Sequence, residues 1–132
     1  VFDEPGSDVA AALWDRATTV ASSQLIYPEA RAAAAAAHRA GRIDARTLRA
    51  AVRAIDQLCE QLETIGLDDA LARAAGEVAE RHGLRGYDAV HLASAAAIDD
   101  ADLVMATWDR DLAAAAASRS HTVVPAPRQR QG

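Results

Sequence analysis

Apolar residues recur at helical spacing along most of the chain. After Asp44, the residues Leu48, Ala51, Val52, Ile55, Leu58 and Leu62 fall three or four apart, which predicts a helix with one apolar stripe. Asp68 is placed to cap another helix, with Leu71, Ala74, Ala75 and Val78 on its inner face and Gly83 as its stop. Tyr87 to Ile98 reads as a helix that is small and apolar on most sides, and "RDLAAAAAS" as a further one. Pro28 suits the first turn of a helix that runs through the alanines to Gly41. Ser7 or Asp8 can open a helix to about Ala17, with Val9, Ala12 and Leu13 on one side.

Between these helices lie four short stretches rich in Val, Thr and Ile: "TTVASSQL", "LETIGL", "DLVMAT" and "HTVVPA". Strands that alternate with helices predict an α/β domain with a short, mostly parallel sheet. No repeat or linker interrupts the pattern, so residues 1–132 read as one domain, with 126–132 as a loose polar tail. The helices 28–41 and 44–62 are joined by about three residues, which makes them a helical hairpin.

Composition narrows the function classes. A chain of 132 residues supports one real core. The single cysteine, Cys59, rules out an intrachain disulfide and suits a reducing, cytoplasmic setting. No apolar run is long enough to span a bilayer, so no membrane role is expected. Alanine fills 35 positions and all 14 basic residues are arginine, a bias that a GC-rich genome explains. The net charge of −5 argues against a protein that coats nucleic acid electrostatically. It leaves room for an enzyme with an acidic, metal-holding pocket.

Topology suggests where such a pocket lies. In a parallel α/β sheet, a helix that follows a strand starts at the carboxyl edge of the strands, where ligands bind. Glu29 is in the first turn of a helix after a strand. Asp88 starts the helix that leads to strand 102–106, and Asp109 follows that strand. Three distant acids are therefore expected at one edge. Each also has a local explanation, as a helix cap or a partner for a helix dipole worth ~0.3–1 kcal/mol. Together they would repel unless a cation sits among them. A hard oxygen donor set suits magnesium, with manganese as the alternative. No Ser-His-Asp or Cys-His set is evident, and the four scattered histidines make a zinc site a poor fit.

The stretch "YDAVHLASAAA" followed by "LVMATWDRDL" resembles the second half of PIN-domain ribonucleases, in particular the VapC toxins of bacterial toxin–antitoxin pairs. "SSQLIYPEARAA" resembles the family segment that carries its glutamate, and "DEPGSD" the turn after its first strand. The resemblance covers nearly all of the chain and implies a PIN-like α/β fold. It implies magnesium-dependent cleavage of single-stranded RNA, with Glu29, Asp88 and Asp109 as the catalytic, metal-holding acids and Asp111 as a further candidate. It also implies an antitoxin that blocks the acidic cleft. The family's opening strand, which ends in its first acid, has no counterpart ahead of Val1. Truncation is the expected reason, and the chain as given is expected to bind metal weakly. The alternative from another class is an inactive PIN relic that serves as a partner-binding module. Action on DNA or on a small phosphate ester is a third reading.

Several neighbours bear on that site. Arg85 and Arg110 flank Asp88 and Asp109 and are candidates to hold RNA phosphates or to balance charge. His91 is read as a supporting or core residue rather than a ligand, because magnesium prefers oxygen. Trp108 suits a core or rim position, with base stacking as the alternative. Arg31 and Arg39 share a helix with Glu29 and read as a solvated stripe or a phosphate track. Asp99, Asp100 and Asp102 precede a strand and should sit at the opposite edge; Asp68 and Asp69 are explained by capping. The small faces of the hairpin would suit a second copy, an antitoxin helix or the domain's own core.

Overall fold

The computed structural model describes residues 12, 15–17, 19–98, 100–107 and 109–124. In chain order they form β1 (Ala21–Ser23), α1 (Ile26–Arg39), α2 (Ala45–Gln61), β2 (Glu63–Ile65), α3 (Asp69–His82), α4 (Gly86–Ile98), β3 (Val104–Ala106), α5 (Arg110–Ser118) and β4 (Thr122–Val124). The helix expected from Ser7 or Asp8 lies mostly outside the described residues, although Ala12, Asp15 and Arg16 are helical. The expected loose tail lies outside them entirely. The elements group into two units, one holding β1 to β2 and the other holding α3 to β4.

In the first unit β1 and β2 are parallel, with Ala21 opposite Glu63, Ser22 opposite Thr64 and Ser23 opposite Ile65. Parallel neighbours need a long crossover, and the α1–α2 hairpin supplies it. The helix α1 begins at Ile26 and not at Pro28, so the proline occupies its third position. That is still within the first turn, where backbone N–H groups have no intrahelical acceptor to lose. At the far end Gly41 takes a φ of +74°, which glycine adopts without a Cβ penalty. Asp44 then caps α2 by accepting a 2.7 Å hydrogen bond from the Thr47 amide. That bond is the main reason its carboxyl is held below the usual carboxylate range.

The hairpin closes over Ala34, Ala51 and Ile55, with Ala30, Leu48 and Cys59 packed around them. Alanine on α1 lets the two helices approach closely. On the outer side the Tyr27 hydroxyl donates to Asp56 Oδ1 at 2.7 Å, tying α1 to α2. Arg31 donates to the same hydroxyl at 3.1 Å, and that bond is the first cause of its raised pKa.

In the second unit Asp68 caps α3 through the Leu71 amide at 2.8 Å. Gly83 ends the helix in the left-handed region, at φ +65°. Leu71, Ala75 and Val78 of α3 are buried, as are Ala89, Val90, Leu92 and Ala93 of α4. The successive buried positions of α4 show that it is covered on more than one side, as its apolar composition predicts. Its buried Ser94 is satisfied by donating to the Val90 carbonyl at 2.7 Å. Leu112, Ala113, Ala115 and Ala116 are the buried residues of α5. The strands β3 and β4 are parallel, with Val104 opposite Thr122, Met105 opposite Val123 and Ala106 opposite Val124.

Candidate active site

Asp88 is the third residue of α4, inside the first turn and not at the cap position before it. It is 8% exposed, and it is the one buried acid among the described residues. A carboxylate withdrawn from water in an apolar helix needs a counter-charge or hydrogen bonds. Arg85, one turn earlier, places its Nε 3.4 Å from Asp88 Oδ2. The spacing is i to i+3, at which side chains on a helical turn meet.

Asp109 reaches the same arginine from another element. The chain leaves β3 and turns at Thr107, whose Oγ1 accepts a 3.2 Å hydrogen bond from the Asp109 amide. Asp109 then caps α5: its Oδ1 accepts from the Leu112 amide at 2.8 Å. Its Oδ2 faces Arg85 Nη2 at 3.6 Å. The two oxygens of Asp109 thus have separate partners, one structural and one electrostatic.

Two carboxylates therefore face one guanidinium. The Arg85 side chain is 68% exposed and lies over the Tyr87 ring, 5.1 Å from its centroid. The Arg85–Asp109 pair is partly open to water and contributes ~0–1 kcal/mol, whereas the Arg85–Asp88 pair also offsets the cost of burying a carboxylate. The pair of acids is the topology expected of the carboxyl edge within this unit. Asp109 follows the end of β3, and Asp88 opens the helix that leads to the start of β3.

Glu29 belongs to the first unit. It sits in the first turn of α1, after β1, half-buried and with one carboxylate oxygen withdrawn from solvent. Among the described residues, no group of three or more His, Cys, Asp or Glu side chains is gathered to hold a metal ion. The Asp88–Asp109 pair still suits magnesium in its chemistry, since that ion is commonly bound by one or two carboxylates, waters and substrate oxygens.

The remaining candidates fall as follows. Asp111 is exposed in the first turn of α5, beside an exposed Arg110. His91 is half-buried one turn after Asp88. Asp100 and Asp102 are exposed ahead of β3, and Asp100 Oδ1 accepts from the Asp102 amide at 2.9 Å, as in a solvated turn. Asp99 and Trp108 lie outside the described residues.

Two residues take roles that were not expected of them: Thr107, which sets the turn before Asp109, and Tyr87, on which Arg85 rests. The Thr-x-Asp spacing carried the first as a side-chain turn. The second needed the fold.

The PIN domain family model matches residues 1–118. The chain is also similar to Ribonuclease VapC45 of Mycobacterium tuberculosis (strain CDC 1551 / Oshkosh), at 43% identity over 123 residues, 93% of this chain and 85% of the relative. The same figures hold for Ribonuclease VapC49 of Mycobacterium tuberculosis (strain ATCC 25618 / H37Rv).

Proposed function

The chain belongs to the PIN-domain family, and we propose that it is a magnesium-dependent endoribonuclease, the toxin of a toxin–antitoxin pair, that cleaves single-stranded RNA. The observation that carries this reading is the pair Asp88 and Asp109, which share one cation at 3.4 and 3.6 Å. Both relatives are ribonucleases by name and match 93% of the chain.

In this reading Asp88 and Asp109 are the acids of the second unit that hold magnesium, or manganese in its place. When bound, the ion polarises the phosphodiester and lowers the pKa of bound water, so that no nucleophilic side chain is required. Burial in the first turn of α4 limits the freedom of Asp88. Asp109 is oriented by its bond to the Leu112 amide, which leaves Oδ2 for the cation. Arg85, once displaced from the carboxylates, is placed to donate to a phosphate oxygen through its planar fork. Arg110 is its weaker companion, and Asp111 an auxiliary acid.

The implied partners are the RNA, a cognate antitoxin and a second copy of the chain, and the implied compartment is the cytoplasm. No helix among the described residues is long and apolar enough to cross a membrane.

The test is cleavage of a single-stranded RNA of mixed sequence by the chain and by Asp88→Asn, with magnesium and with chelator. The wild-type chain should cleave only with magnesium, and Asp88→Asn should not cleave. Equal behaviour of the two proteins would remove Asp88 from the chemistry. Absence of cleavage by either, with the segment ahead of Val1 restored, would leave a partner-binding PIN domain.

A further inference from the structure

We propose that the exposed arginine face running from the tip of the α1–α2 hairpin along the first half of α2 is a track for the phosphates of single-stranded RNA. The proposal rests on the reading of the chain as a ribonuclease and adds a binding surface to it. Arg46, Arg49 and Arg53 are all exposed. At 3.6 residues per turn they fall within about 60° of arc, over roughly 10 Å of helix. Arg42, in the turn before α2, and Arg39, at the end of α1, extend the same charge to the hairpin tip, and both are exposed. The chain carries −5 overall, yet between residues 39 and 55 there are five arginines and one acid.

Local stability does not account for this placement. Arg39 ends a helix, where a cation suits the dipole. Arg46 has the opposite situation, in the first turn of α2, where a cation is disfavoured and where no acid follows the cap. Like charges three and four apart on a helix also repel, by ~0.2–0.5 kcal/mol per pair.

Nor are the charges neutralised nearby. The one acid of the stretch, Asp44, caps α2 through the Thr47 amide and offsets Arg49 in part, which leaves five arginines facing a single carboxylate. Asp56, one turn beyond Arg53, is taken by Tyr27. Among the described residues the ion pairs are both made by Arg85, and none involves Arg46, Arg49 or Arg53. The opposite side of α2 is fixed by Ala51 and Ile55 in the hairpin core, so the guanidinium stems are presented from a rigid support. A row of exposed planar cations at intervals of about one helical turn is complementary to a polyanion with regularly spaced phosphates.

The experiment measures binding of a mixed-sequence single-stranded RNA to the full chain carrying Asp88→Asn, without divalent metal, at several sodium chloride concentrations. Each phosphate contact contributes about 0.7 to the slope of log affinity against log salt for a single strand. Replacing Arg46, Arg49 and Arg53 together by Gln should lower the slope by about 2, and Arg49→Gln alone by about 0.7. The triple Lys variant should keep the slope. A control with Arg73→Gln and Arg81→Gln, exposed on α3, should also keep it.

A triple Gln variant that retains the full slope would overturn the proposal, as would a control pair that loses as much. If that variant keeps RNA binding but loses binding to a Glu-rich peptide, the face serves an acidic protein partner and the proposal fails. Absence of salt-dependent RNA binding by the Asp88→Asn protein itself would overturn the ribonuclease reading along with the track.

Discussion

Asp88 and Asp109 face the same guanidinium: Oδ2 of each is turned to Arg85, at 3.4 Å from Nε and 3.6 Å from Nη2. Asp88 comes from the first turn of α4 and Asp109 from the cap of α5. Their meeting is a product of the fold rather than of sequence proximity, and it makes the two acids separable by mutation.

Asp109 has two roles on two oxygens, and its variants should divide them. In Asp109→Asn the amide oxygen can still accept from the Leu112 amide, so thermal stability should change little, while magnesium-dependent cleavage falls sharply. In Asp109→Ala both roles are lost, with an added cost of ~1 kcal/mol for the missing cap. Denaturant melts beside cleavage assays check this. Equal stability of the two variants would show that the cap contributes nothing.

Arg85 should compete with magnesium for the same oxygens. Arg85→Gln should lower the stability of the metal-free chain by more than the ~0–1 kcal/mol of a surface pair, because the buried Asp88 carboxylate loses a counter-charge. It should bind magnesium more tightly than the unaltered chain in a calorimetric titration. Arg85→Lys should fall between them, since a compact ammonium cannot span two carboxylates as a planar fork does. Weaker binding by Arg85→Gln would mean that the arginine orders the acids for the ion.

Acid should weaken the start of α2. The folded state depresses the Asp44 pKa, chiefly through the Thr47 amide. The unfolded chain therefore binds the proton more readily. The stabilisation is complete above the ordinary carboxylate range and is lost as pH falls through the depressed folded value. Asp44→Ala should melt below the unaltered chain at neutral pH, and the gap should close on acidification. A gap that is constant with pH would exclude the charge as its source.

The hairpin core should be intolerant of volume at one alanine and indifferent at its neighbour. Ala34 is fully buried against α2, whereas Ala33 is exposed. Ala34→Leu should cost ~1–3 kcal/mol by overpacking. Ala33→Leu should stay within about 0.5 kcal/mol. Urea unfolding of both variants measures the difference.

Local chemistry made much of the fold legible. Asp44, Asp68 and Gly83 end or begin helices because their bonds and dihedral angles are settled within about four residues of chain. The strands were harder. "TTVASSQL" opens with three β-branched residues, yet among the described residues the ladder spans Ala21–Ser23, because a strand lasts only as long as its partner is opposite.

The sequence alone determined the alternation of helices and strands, the caps, and the family resemblance carried by Asp88, His91 and Asp109. These depend on periodicity and on contacts close along the chain. Tertiary structure decided that Asp88 lies buried inside a helical turn, that Asp109 gives one oxygen to an amide and the other to a cation, and that Arg85 stands between them. The reason is physical: the Arg85–Asp88 pair and the Asp109 cap are local contacts, but the burial of Asp88 and the approach of Asp109 to Arg85 depend on segments distant along the chain, and packing sets which of them meet.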